Sequence, residues 1–233
     1  MGLSFILVLC LAGAFCLAPL AVYLLWLAQI TRRERPTIMA GTWDYAILLI
    51  GLSGFILFGG ALILSLLQSN FRYWMRGNAE GLRAAWGQEW LTWTLLALLY
   101  LIIVVGGITL TLLSRRRTLV VYNVDLATFE STLTEVFEHL NRPIERRGNI
   151  WFSGVPLLEL ERFPRGKTVT LRWISDDHLL FQDVERLLRD MIRSIYTEEN
   201  AVTQWIMAAA VGIGLSAISC FGLLIYALRL ITR

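Results

Sequence analysis

Lysine is nearly absent from this chain. Lys167 is the only one, so almost all of its 21 basic side chains are arginine. Charge as a whole is scarce at 17%, against about 25% in ordinary soluble domains, and 56% of the residues are hydrophobic. The net charge of +3 is too small to make nucleic acid a main partner. All three cysteines, Cys10, Cys16 and Cys220, fall inside apolar stretches, with no CxxC or Cys/His spacing. That removes the usual zinc, iron–sulfur and redox-disulfide patterns. The glycine-rich phosphate loops and the nucleophile elbow are missing too.

What the chain has is four long apolar stretches, at residues 3–30, 45–67, 90–113 and 205–230. A helix needs roughly 20 apolar residues to cross the hydrocarbon core, and each stretch suffices. The first lacks a positive n-region and is too long for a typical signal peptide, so it reads as a permanent span. No Asp, Glu, Lys, Arg or His sits mid-span, which argues against a proton relay or an ion path. Asp44, Glu89 and Arg229 lie near span ends, within snorkelling reach of the interface. Pro19 removes the helical hydrogen bond to the Phe15 carbonyl, predicting a static bend in the first span.

Arginine sets the expected orientation. Arg32, Arg33 and Arg35 follow the first span, and Arg115, Arg116 and Arg117 follow the third. Short basic loops stay in the cytoplasm, which puts the N-terminus outside and residues 114–203 inside. The protein is thus expected in the cell (inner) membrane. Arg72, Arg76, Arg83, Arg229 and Arg233 fall on the outer side and obey the rule less well. Residues 68–89 mix Phe71, Tyr73, Trp74, Met75 and Trp86 with arginine, as expected of a short helix lying in the headgroup layer.

The expected fold class is a four-span α-helical membrane protein with an inserted small α+β domain. Residues 1–113 hold three spans and the outer loop, 114–203 the domain, and 204–233 the fourth span. Within the domain, residues 119–122 are β-branched and aromatic, as in a buried strand. Asp125 is placed to cap a helix running to about Leu140, whose Leu126, Phe129, Leu133, Val136, Phe137 and Leu140 share one face. Strand candidates follow at 144–152 (with a turn at Gly148), 157–163 and 168–174. Ser175, Asp176 or Asp177 caps a second helix through Tyr196. The order β-α-β-β-β-α predicts an antiparallel-rich sheet with two helices on one face, ferredoxin-like in arrangement. That is a likeness of shape, and no motif is specific enough to name a relative.

Candidate sites are few. Arg146, Arg147, Arg162, Arg165, Lys167 and Arg172 gather on the strands and turns of the domain and suit anionic headgroups or an acidic partner. The competing reading is a solvated face, with Glu145, Glu159 and Glu161 interspersed. His139 ends the first domain helix and His178 opens the second. Ser175, Asp177 and His178 are too close in sequence to attain triad geometry easily. In the fourth span Ala208, Gly212 and Ser216, with Cys220, form a small-residue face suited to close helix packing. Gly51, Ser53, Gly54, Gly59 and Gly60 give the second span a looser set.

These features favour a non-enzymatic membrane protein, an accessory or assembly subunit docking a partner or anionic lipid through its cytoplasmic domain. No cofactor and no metal is implied. Membrane lipid, other membrane subunits or further copies of this chain are the expected partners. A transporter or channel component is the alternative, hinted at by Thr92, Thr94, Thr109 and Thr111 in the third span. The other is a membrane-bound enzyme acting on lipid-linked substrates, which needs convergent polar groups at an interface.

Overall fold

The computed structural model describes residues 3–67, 79–88, 90–163, 166–197 and 200–231. Helix α1 (Leu3–Thr31) leads through strand β1 (Thr37–Ala40) into α2 (Gly41–Leu67). Short α3 (Ala79–Gln88) precedes α4 (Trp90–Ser114). The domain elements are β2 (Thr118–Tyr122), α5 (Leu126–His139), β3 (Glu145–Arg147), β4 (Ile150–Ser153), β5 (Val155–Phe163), β6 (Thr168–Trp173) and α6 (His178–Ile192). Helix α7 (Val202–Ile231) closes the described chain. Four helices, α1, α2, α4 and α7, are long and apolar enough to cross a membrane. Contacts divide the chain into two compact units.

The first unit comprises Met1–Leu25, Leu48–Leu110 and Ala208–Arg233. Its packing is built on the glycines of α2. A methyl group placed on Gly54 would lie 2.2 Å from the Phe15 carbonyl oxygen and 2.6 Å from the Cys16 Cα, so two helix backbones meet here. Pro19 explains why this carbonyl is the one approached. Its ring nitrogen has no hydrogen to donate back to Phe15, which leaves that oxygen open to a neighbouring helix. Gly51 is set against the Tyr23 ring, and Gly60 against the Tyr100 ring. The Tyr100 hydroxyl donates to the Ile56 carbonyl at 2.5 Å, tying α4 to α2. Gly59 faces open space. Helix α4 otherwise presents Leu91, Leu98, Ile102, Val105 and Leu110 outward, with Trp93 its buried residue. Such a surface suits hydrocarbon and not water.

The small-residue face expected on α7 is not covered by another helix of this chain among the described residues. Ala208, Gly212 and Ser216 are exposed, and a methyl on Gly212 would meet nothing within 4 Å. The buried small residues include Ala210 and Ala217, with Gly214 facing Ala21 and Cys220 facing Gly13. Ala210 and Gly214 share the same four-residue spacing, so the sequence contains two small-residue faces. Only the neighbours present in the fold decide which one is covered.

The second unit comprises Trp26–Ile47 and Thr111–Met207. Its six strands run β1-β2-β6-β5-β4-β3, every neighbouring pair antiparallel. Two features differ from expectation. The stretch 144–152, with its expected turn at Gly148, counts as two strands, β3 and β4, and Gly148 is left-handed (φ +66), a conformation that glycine adopts without strain. Strand β1 comes from between the first two spans, outside residues 114–203, and pairs Ile38 with Val121. A ferredoxin-like unit has the order β-α-β-β-α-β, whereas here β3, β4, β5 and β6 follow one another between α5 and α6.

The core lies between one sheet face and two helices. Leu119, Val121, Leu158, Leu160, Val169 and Leu171 meet Phe129, Leu133, Val136 and Phe137 of α5, and Val184, Leu188 and Ile192 of α6. The opposite face of β2 is also covered, where Val120 and Tyr122 join Ile30, Trp26, Leu27 and Met39. Burial on both faces explains why β2 carries no polar alternation. Asp125 occupies the position before α5, but its side chain caps nothing, whereas the Leu180 amide donates to the Asp177 carboxylate at 3.0 Å. Helix α6 ends at Ile192, short of Tyr196. There the amide and hydroxyl of Ser194 both donate to the Met191 carbonyl and tighten the last turn.

Polar bonds fasten the segment after α1 into this unit. Buried Asn123, itself left-handed (φ 57), donates to the Arg33 carbonyl at 2.6 Å and to the Thr197 hydroxyl at 3.1 Å. The Thr197 amide donates to the Glu34 carbonyl at 2.9 Å. The Arg35 guanidinium sits over the Tyr196 ring, and that of Arg115 over Tyr45. The Tyr122 hydroxyl donates to the Asp44 carboxylate.

Candidate functional site

The candidate basic residues that lie on described strands do not form one face. Strand alternation separates them. Arg146 and Arg162 point to the helix-covered side of the sheet, in register with Trp151 and Val169. Arg147 and Arg172 point to the other side, in register with Ile150 and with Glu159 and Thr118. Lys167 lies in the β5–β6 turn, and Arg165 falls outside the described residues. Two of them are already paired: Arg146 with Glu130 at 2.5 Å and Arg147 with Glu145 at 3.2 Å. Arg147 also covers the Phe152 ring. Arg162 and Lys167 share a small pocket of about 140 Å³ with Asp125 and Phe163.

A larger cleft, about 650 Å³, opens where the last residues of α4 enter the sheet. Its basic groups are Arg116, Arg117, Arg172 and His178, and its apolar wall includes Leu113, Trp173 and Phe181. These residues are far apart in sequence. The pairing of β2 with β6 unites them, because it puts Thr118 opposite Arg172 and lets the Trp173 amide donate to the Arg117 carbonyl at 2.8 Å. Helix α6 then starts at His178, next to the same strand end.

Within the cleft the three arginines are held differently. Arg117 is anchored: its guanidinium donates to the Ser175 carbonyl at 3.2 Å and the Asp176 carboxylate at 2.9 Å, and contacts His178 Nε2 at 2.9 Å. A guanidinium only donates, so the acceptor role in this contact falls to Nε2. The Arg116 and Arg172 side chains are exposed, and their guanidinium groups make no hydrogen bond or ion pair among the described residues. Glu159 is the cross-strand neighbour of Arg172, yet no ion pair joins them. Glu185 also lines the cleft, but its carboxylate is bound to Arg189 at 2.6 Å. The Trp173 indole N–H is buried without an acceptor.

Sequence reasoning reached Arg172 as a candidate and read Arg116 and Arg117 only as an orientation signal. The Ser175, Asp177 and His178 grouping is dispersed. Asp177 caps α6, the Ser175 hydroxyl accepts from the Asp177 amide at 3.2 Å, and His178 turns to Arg117. Glu159 and Glu161 are neighbours on one face of β5, as their spacing requires. In α4 the Thr94 and Thr109 hydroxyls donate to the Trp90 and Val105 carbonyls of their own helix. Among the described residues no group of three His, Cys, Asp or Glu side chains is placed to hold a metal. Helix α3 lies within the expected interfacial stretch, while Phe71, Tyr73, Trp74 and Met75 fall outside the described residues.

The chain matches no known protein-family model, no curated protein and no solved structure.

Proposed function

We propose that this chain is a non-enzymatic protein of the cell (inner) membrane, an accessory or assembly subunit that docks a partner or anionic lipid through a cytoplasmic domain. The observation that carries the reading is the joining of β1 to β2. The segment after the first span, both ends of the domain and the first turn of α2 belong to one folded unit. Such a domain has four covalent attachments to apolar helices and little freedom to swing. It suits a fixed platform better than a mobile catalytic module. Its edge strand β3, Glu145–Arg147, is short, exposed and charged, which discourages strand addition by another copy and leaves docking to side chains.

Arginine supports the cytoplasmic placement. The clusters at residues 32–35 and 115–117 flank the same folded unit, so one side of the membrane would hold both. An exposed docking surface with arginine predominant is salt-sensitive, since screening acts within about 8–10 Å at physiological ionic strength.

Native co-purification in mild detergent across a salt series, after in-membrane crosslinking, tests the reading. A discrete partner that is retained at low salt and shed as salt rises is the expected result. A chain that runs alone at every salt concentration and gives no crosslinked species contradicts it.

A further inference from the structure

We infer that the cleft formed by Arg116, Arg117 and Arg172 is a binding site for a phosphate group, that of an anionic lipid headgroup. The inference rests on the membrane reading above and gives one ligand of the domain a specific place. Three features of the cleft carry it.

The first is charge without compensation. Three guanidinium groups converge on about 650 Å³ of open space, and the acidic side chain lining it, Glu185, is engaged by Arg189. Asp176, fully exposed at the rim, binds the Arg117 already held by the Ser175 carbonyl. Arg116 and Arg172 keep all their donors available, and a guanidinium presents its donors in a planar fork matched to two phosphate oxygens. Folding places Arg116 and Arg172 beside Arg117 with no acid among the described residues paired to either of the two, which is costly unless an anion arrives from outside.

The second is position along the chain. The wall begins at Leu113 and Ser114, the last residues of a helix apolar enough to cross a membrane, and passes directly to Arg116. Basic residues immediately beyond a span lie at headgroup depth, where anionic phosphodiesters are concentrated. The third is the mixed lining. Leu113, Trp173 and Phe181 offer an apolar floor beside the arginines, suited to a glycerol backbone carrying its acyl chains and not needed by inorganic phosphate. His178 and Gln182 complete the rim with polar groups able to meet headgroup hydroxyls.

The test is native mass spectrometry of the full chain in detergent, titrated with phosphatidylglycerol and, separately, with phosphatidylcholine. Wild type is expected to take up phosphatidylglycerol preferentially. The double variant Arg116→Gln/Arg172→Gln is expected to bind it at least about tenfold more weakly, each basic residue near the surface being worth about a fivefold change. Arg142→Gln, an exposed arginine remote from the cleft lining, serves as the control and should bind like wild type. Both cleft substitutions replace exposed side chains without partners among the described residues, so the melting temperature should not move. Equal uptake by wild type and the double variant overturns the inference. So does displacement of the lipid by an equimolar amount of inorganic phosphate, which would make the ligand a free anion. The outcome is separable from that of the docking reading: a chain with a partner but with unchanged lipid uptake in the double variant refutes only the cleft. Arginine-dependent lipid uptake by a chain without a partner refutes only the subunit role.

Discussion

Gly54→Val is expected to force α1 and α2 apart and to cost about 3 kcal/mol or more, the upper end of what overpacking does. The usual escape from overpacking is a rotamer change in the neighbour, and here none exists. The atoms a new Cβ would meet are the Phe15 carbonyl oxygen at 2.2 Å and the Cys16 Cα at 2.6 Å, both backbone. Moving them means moving the helix. Contacts beyond this point would loosen as well, since Gly51 on Tyr23 and Phe15 on Phe58, centroids 6.0 Å apart, depend on the same approach. Gly59→Val introduces the same side chain into the same helix, but at a position facing open space, and should change stability by less than about 0.5 kcal/mol. Thermal melting of the two variants in one detergent measures the contrast. Similar melting temperatures would mean that α1 and α2 do not meet at Gly54.

Phe137→Ala should unfold much of the domain's margin. Phe137 is fully buried between the sheet and α5, alongside Phe129, Leu133 and Val136. Truncating a buried phenylalanine leaves a cavity as well as losing transfer energy, and typically costs about 3–5 kcal/mol. A domain with a total stability of about 5–15 kcal/mol loses a large part of it. Leu179→Ala removes a comparable apolar side chain from an exposed site on α6, and should cost less than about 0.5 kcal/mol. Denaturant unfolding followed by circular dichroism, at fixed detergent, separates the two. A Phe137→Ala midpoint equal to that of Leu179→Ala would contradict the packing of this core.

The sequence made the strongly periodic parts of the fold legible. Phe129, Leu133, Val136 and Phe137 recur at helical spacing and are buried as that spacing implies. The unalternating residues 118–122 are buried on both faces of their strand. Less was readable where local signals were weak or duplicated. Strand β1 has four residues, in a short arginine-bearing connector, and nothing in Thr37–Ala40 announces its partners, 79 to 85 positions on. On α7 two small-residue faces compete in the same sequence, and the expected one is exposed.

The candidate site was legible only in fragments. Arg172 stood out among basic residues of the domain, while Arg116 and Arg117 read as a signal for membrane orientation. The cleft exists because β6 returns beside β2, a long-range pairing that no local pattern encodes. Strand alternation puts Arg146 and Arg162 on one side of the sheet and Arg147 and Arg172 on the other. A basic face read from composition alone therefore overstates how many of these charges a single ligand meets.

The central claim is that the segment after the first span and the domain fold together on the cytoplasmic side of a membrane. Cysteines substituted at Glu34 and at Glu138, both exposed, test it most directly when labelled with a membrane-impermeant thiol reagent. In intact cells neither Glu34→Cys nor Glu138→Cys should label, and both should label once the membrane is permeabilised. Labelling of both in intact cells would invert the orientation. Labelling of one alone would place β1 and the domain on opposite sides and break the sheet on which the account depends.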